Sequence, residues 1–237
     1  MAITTRTIEY TVNGKVFEGL LATDGRSSRP AVMVCHAWGG RKEHEEETAK
    51  RIAELGYTAF AADVYGKDVR GETIEENQAL MTPLVEDRDE LQQRLRGALT
   101  ALCEQAETDE NNVSVTGFCF GGLCALDMAR TNAPVIGVSA FHAVIGKPGK
   151  PGSDDILPKV MCFQGFDDPM ADPDALVSFG KEMTDRNADW QLHVFGGVSH
   201  AFTNPDASND ELGLKYNKQA SERSWEMFKS YLWEMFE

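Results

Sequence analysis

Apolar residues recur along the chain with two alternating periods. Residues 5–12 and 15–22 each alternate polar with apolar and meet at Asn13-Gly14, a strong short hairpin signal that predicts an antiparallel edge. Residues 29–36 are nearly all apolar, as suits a strand covered on both faces. The period then becomes helical over 43–55: Ala49, Ile52 and Ala53 share a face, acidic residues come first, Lys50 and Arg51 later, and Gly56 caps the end. Residues 57–62 predict another buried strand. Pro83 is expected to open a long helix with the stripe Leu84, Leu91, Leu95, Ala98, Leu99 and Leu102. Further strands are predicted over 112–116, 134–140, 159–163 and 190–195, and helices over 120–130, 174–185 and 219–236. Strands alternating with helices of this length imply crossover units, hence an α/β fold with a mainly parallel, doubly wound sheet flanked by helices.

The 237 residues, 42% hydrophobic, suffice for one large core and exclude intrinsic disorder. The Gly/Pro/Lys-rich stretch 145–152 reads as a flexible excursion within a single domain spanning 1–237. Trp225, Phe228, Tyr231, Leu232, Trp233 and Phe236 crowd the last helix, which predicts docking on the core with surplus apolar area for a monomer or a homodimer. The net charge of −15 has the wrong sign for nucleic acid or an anionic membrane. No window carries a membrane span or the apolar run of a secretory signal, which predicts a cytoplasmic location. Five cysteines without a CxxC pair fit reduced thiols better than disulfides or a thiolate zinc site. Glu45-Glu46-Glu47 beside His44 is expected to be a solvated first turn rather than a metal site, because successive carboxylates point to different sides of a helix.

Gly117-Phe118-Cys119-Phe120-Gly121-Gly122 lies between an apolar strand and a helix, the setting of a nucleophile elbow with Cys in the Ser position. Glycines two residues to either side remove side chains that would collide at so sharp a turn. The thiol then projects at a helix N-terminus, where aligned amides favour a thiolate, and the N–H of Phe120 becomes an oxyanion donor. In this architecture the acid and the base follow on loops after later strands. Gln164-Gly165-Phe166-Asp167-Asp168-Pro169 supplies two candidate acids, and Gly196 to Phe202 supplies His200 as base. Spacing alone leaves Asp167 and Asp168 open. Cys35 lies within an apolar run and reads as core, as do Cys103, Cys124 and Cys162.

With His36-Ala-Trp-Gly-Gly40, Gly117-Phe-Cys-Phe-Gly-Gly122, Gly165-Phe-Asp-Asp-Pro169 and His200-Ala-Phe-Thr-Asn-Pro205, the sequence resembles the dienelactone hydrolase family of α/β-hydrolases over nearly its whole length. The resemblance selects Asp168 over Asp167 and adds the N–H of Ala37 to that of Phe120 in the oxyanion hole. It implies hydrolysis of a small ester or lactone through a covalent acyl-enzyme on Cys119, without metal or organic cofactor. Departures accompany it. His36 stands where the family has a glutamate near the resting thiol, and is either a group near Cys119 or a polar residue satisfied at a strand end. Lys67 and Asn204 stand where arginines hold the dienelactone carboxylate, and neither offers a bidentate fork, so substrate recognition is expected to differ. Trp38 and His142 complete the candidate pocket, Trp38 equally as a packing residue and His142 alternatively as a solvent-facing loop residue. The alternatives to this reading are a noncatalytic ligand-binding protein on the same fold and a thioesterase sharing the triad.

Overall fold

The hairpin forms as its turn chemistry dictates. Strands β1 (Thr4–Val12) and β2 (Lys15–Thr23) pair antiparallel with Val12 opposite Lys15, and Asn13 and Gly14 both take positive φ, 51° and 76°. The computed structural model describes residues 2–148, 152 and 154–236, so part of the expected flexible loop at 145–152 lies outside the described residues. Two compact units divide the chain, Met1–Thr116 and Gly117–Glu237.

In the first unit, β3 (Arg29–Cys35) and β4 (Thr58–Ala62) pair in parallel, β2 pairs antiparallel with β4, and β5 (Thr108–Phe118) reaches the unit boundary. Helix α1 (Glu43–Glu54) packs on β2, β3 and β4, burying Ala49, Ile52 and Ala53 as their spacing predicts. Phe17, Leu21, Met33, Ile52 and Phe60 are fully buried, each contributing roughly 2 kcal/mol of apolar burial.

The expectation at Pro83 is corrected. Helix α2 (Ile74–Glu86) contains Pro83, and α3 (Arg88–Cys103) begins only after Asp87. Pro83 costs the last turn of α2 one backbone hydrogen bond, to the Ala79 carbonyl, and crowds that carbonyl with its ring. The junction belongs to Asp87, which ends α2 by donating its N–H to the Pro83 carbonyl and starts α3 by accepting the Glu90 N–H on its carboxylate. The signal for α2 was the capping box Thr73-x-x-Glu76, formed in both directions.

In the second unit, α4 (Phe120–Arg130) packs on β6 (Gly137–Phe141) and β7 (Lys159–Gly165). Strands β6, β7 and β8 (Trp190–Phe195) pair in parallel, in that order. Helix α5 (Pro173–Asp185) is capped by the Asp172 carboxylate. Helix α6 (Lys218–Phe236) buries Phe228, Tyr231 and Leu232, while Trp233 is 60% exposed. A small hairpin, β9 (Ser208–Asn209) with β10 (Leu214–Lys215), precedes α6. The architecture is the mostly parallel α/β arrangement that the alternating pattern predicts. No helix among the described residues is long and apolar enough to cross a membrane.

Candidate active site

The chain turns sharply where β5 gives way to α4, and Cys119 occupies the turn with φ 55° and ψ −115°. A non-glycine residue is rarely held at positive φ unless its surroundings impose it. Here the Cys119 N–H donates to the Phe141 carbonyl at 3.0 Å, while its own carbonyl accepts the N–H groups of Gly122, Leu123 and Val144. Gly117 is obligatory, since a Cβ there would lie 2.1 Å from the Gly121 carbonyl oxygen. The thiol is therefore fixed at the N-terminus of α4, one residue before the Phe120 amide, where the helix dipole is positive.

Two later loops of the same unit supply the rest. After β7, Asp168 is buried and its Oδ1 accepts the Met170 N–H at 2.8 Å, whereas Asp167 is exposed. After β8, His200 is buried with its Nδ1 at 2.7 Å from Asp168 Oδ2. The backbone of His200 is gripped on both sides, its N–H donating to the Gly213 carbonyl at 3.0 Å and its carbonyl accepting the Lys215 N–H at 2.9 Å. Burial by itself favours the neutral ring of His200. The negative charges of Cys119 and Asp168, with the Asp168 hydrogen bond, outweigh it and raise the pKa to about 10. Buried Nε2 has no hydrogen-bond partner among the described residues.

Gly165 joins the acid loop to the base loop at close range. A Cβ there would lie 2.2 Å from the Val198 carbonyl oxygen. Gly165→Ala is expected to cost about 3 kcal/mol, read as a lowered midpoint in urea unfolding, because backbone rather than a flexible side chain must move.

The other cysteines differ in kind. Cys35 and Cys162 are fully buried and burial pushes each thiol up to about 12, so neither supplies a thiolate near neutral pH. Burial also raises the half-buried Cys103.

His36 is satisfied at its strand end, in the first unit. Its Nδ1 lies 2.7 Å from the Ala37 carbonyl, its Nε2 accepts the Val64 N–H, and burial lowers its pKa. The ring rests against Tyr65, whose hydroxyl donates to the Trp38 carbonyl. The Ala37 N–H donates to Glu45 Oε1 at 3.2 Å, and Glu45 Oε2 accepts the Lys42 N–H. This corrects the expectation of a solvated acidic turn: Glu45 is buried because two backbone donors satisfy it, while Glu46 pairs with Arg41 and Glu47 with Lys50. No group of three metal-ligating side chains occurs among the described residues. Lys67 pairs with Glu9 and Glu18, and Asn204 Oδ1 accepts the Asp206 N–H. His142 is buried rather than solvent-facing, with its ring edge-on to His200 at 5.1 Å between centroids. The hairpin that holds His200 went unread in the sequence, though Gly213 marks it: φ is 65°, and a Cβ would meet Pro169 at 2.6 Å.

Known proteins similar to this chain match it over nearly its whole length. A dienelactone hydrolase-like promiscuous phosphotriesterase from metagenomic libraries superposes with a TM-score of 0.94 at 32% identity, covering 100% of both chains. A protein of Aquifex aeolicus assigned as a carboxymethylenebutenolidase is 28% identical over 229 residues, 95% of this chain and 98% of its own. A Bradyrhizobium protein assigned as a 2-oxo-3-(5-oxofuran-2-ylidene)propanoate lactonase is 24% identical over 214 residues, 86% of this chain and 83% of its own. The model of the dienelactone hydrolase family matches residues 17–236, and the chain belongs to that family of hydrolases acting on esters and lactones.

Proposed function

We propose that the protein hydrolyses small carboxylic esters or lactones through an acyl-enzyme on Cys119, with Asp168 and His200 as the acid and base of the triad. The observation that carries this reading is the buried 2.7 Å contact between Asp168 and His200 in the same unit as a cysteine held at positive φ on a strand-to-helix elbow. His200 Nε2 takes the Cys119 thiol proton, which leaves a thiolate beside an imidazolium. The sulfur attacks the acyl carbon, the S–C bond forms, and the carbonyl electron pair moves onto oxygen opposite the Phe120 N–H. Collapse breaks the C–O bond, and the departing alkoxide takes the Nε2 proton of His200. Water then gives a proton to neutral His200 as its hydroxide attacks the thioester. Expulsion of the thiolate releases the acid and restores the pair. Ala37, the second oxyanion donor implied by the family resemblance, would first have to give up Glu45.

Substrate recognition differs from that of a dienelactone carboxylate receptor in this reading. Lys67 and Asn204 stand where the family's arginines are expected, the one already paired with carboxylates and the other engaged in its own turn. Uncharged esters and lactones are therefore the favoured class, and a thioester is the neighbouring alternative because the same attack serves it. We also read the chain as one folding domain, since the family match runs across the boundary between the two units.

Iodoacetamide titration tests whether the triad is competent or only a relic in a binding protein. The expected outcome is selective alkylation of Cys119, at least roughly tenfold faster than that of the other thiols at neutral pH, because His200 is placed to take its proton at the N-terminus of α4. His200→Ala should remove the advantage. Slow, unselective labelling that ignores His200 would favour the binding protein.

A further inference from the structure

Beside the triad, a second buried histidine occupies strained backbone at the same sheet edge. His142 follows β6 with φ 36°, a left-handed conformation uncommon for any residue with a side chain. Its N–H donates to the Phe163 carbonyl at 2.7 Å, as the Cys119 N–H donates to Phe141 one strand earlier. Strain of this kind persists only where surrounding structure imposes it, and it concentrates at functional sites. The ring it presents is 2% exposed, too little to serve as a general wall of the pocket.

The ring meets the base loop at several points. His142 Nε2 lies 2.8 Å from Thr203 Oγ1, a hydrogen bond spanning 61 residues of sequence. The same ring stands edge-on to His200 at 69° and to Phe202 at 79°, with centroids 5.1 and 5.2 Å away, and tilts against Phe118 of the nucleophile elbow at 6.0 Å. Ala201, between His200 and Phe202, is itself at φ 57°. His200 is thus fixed at Nδ1 by Asp168, along its backbone by Gly213 and Lys215, and against its ring by His142. Asp168 restrains one ring nitrogen but leaves the ring free to swing about that contact. A rigid aromatic edge, tied to the loop through Thr203, opposes the swing.

We propose that His142 is a positioning residue which, through its hydrogen bond to Thr203, holds the His200 imidazole in line between Asp168 and Cys119. The proposal rests on the Cys119, His200 and Asp168 reading given above. It predicts that the contact acts on the chemical step and not on binding, since a misplacement of about 1 Å can cost up to roughly 100-fold in rate.

Steady-state kinetics on a p-nitrophenyl ester, with rates per folded molecule, test it in His142→Phe, Thr203→Val, Thr203→Ser and the His142→Phe/Thr203→Val double variant. His142→Phe keeps a ring and loses the hydrogen bond, and Thr203→Val removes the same bond from the other side. Each is expected to lower kcat roughly tenfold with KM within about twofold, and the double variant to be no worse than the poorer single one. Thr203→Ser, which keeps the hydroxyl, should restore kcat to near wild type. The alkylation rate of Cys119 against pH gives a readout independent of turnover, and His142→Phe should slow it at neutral pH. Unchanged kcat and alkylation in both single variants overturn the positioning role, as does a lowered melting temperature with kcat per folded molecule unchanged. Cys119→Ala run alongside separates the failures: its retained turnover overturns the triad reading and this inference with it, whereas its inactivity beside unaffected His142→Phe and Thr203→Val overturns this inference alone.

Discussion

Cys119→Ala is expected to lower kcat/KM for a short ester by roughly 10⁴-fold or more while leaving the protein folded. The size follows from covalent catalysis, since without the sulfur no acyl-enzyme forms and only the positioned donors remain to assist water. Neither Cys35 nor Cys162 can replace it: both are sealed in the core, where burial pushes their thiols up to about 12. The substitution exchanges one small, 9% exposed side chain for another, so an unchanged melting temperature is expected beside the lost rate. Alanine is the sharper choice over serine, which would leave a hydroxyl for His200 to activate. Turnover within a few-fold of wild type would mean that the elbow is not the reacting centre.

The second large effect separates two adjacent carboxylates. Asp168→Asn is expected to reduce kcat roughly 10³ to 10⁴-fold, whereas Asp167→Asn should stay close to wild type. An amide nitrogen facing His200 Nδ1 would make that nitrogen an acceptor and place the proton on Nε2 in the neutral ring, the wrong tautomer for taking a proton from water. Loss of the negative charge also withdraws one of the influences that raise the His200 pKa towards 10. The imidazolium, present below that value and lost as pH rises through it, should then be lost at lower pH, so the alkylation profile of Cys119 shifts with it. Asp167 is exposed and its carbonyl, not its carboxylate, meets Ser199. Equal losses at both positions, or a larger loss at Asp167, would reverse the assignment.

These expectations trace back unevenly to the sequence. The elbow was legible because its constraint is local: strand, Gly117, Cys119, Gly121 and helix follow one another directly, and the helix over Phe120–Arg130 begins and ends where its pattern does. The hairpin at Asn13-Gly14 was legible for the same reason. Asp167 and Asp168 were not separable by spacing, since adjacent residues after a strand differ only in which one the following turn buries. Three-dimensional contacts decide the rest. Glu45 reads as one of three exposed glutamates until the Ala37 and Lys42 amides converge on it. His142 reads as a loop residue until Thr203, 61 residues on, meets its ring. Pro83 misled because its own preference for a first turn was set against a stronger pair of caps, Thr73 with Glu76 and then Asp87, that fix both helices around it.

The central claim is that the acyl group passes through Cys119. Acid quenching of the enzyme with excess p-nitrophenyl acetate in the first turnovers, followed by digestion and mass spectrometry, tests it most directly. The account predicts one acetyl group on the peptide carrying Cys119, absent in Cys119→Ala and in His200→Ala. Full turnover with no acetylated Cys119 peptide, or with the acetyl group on another residue, would contradict it.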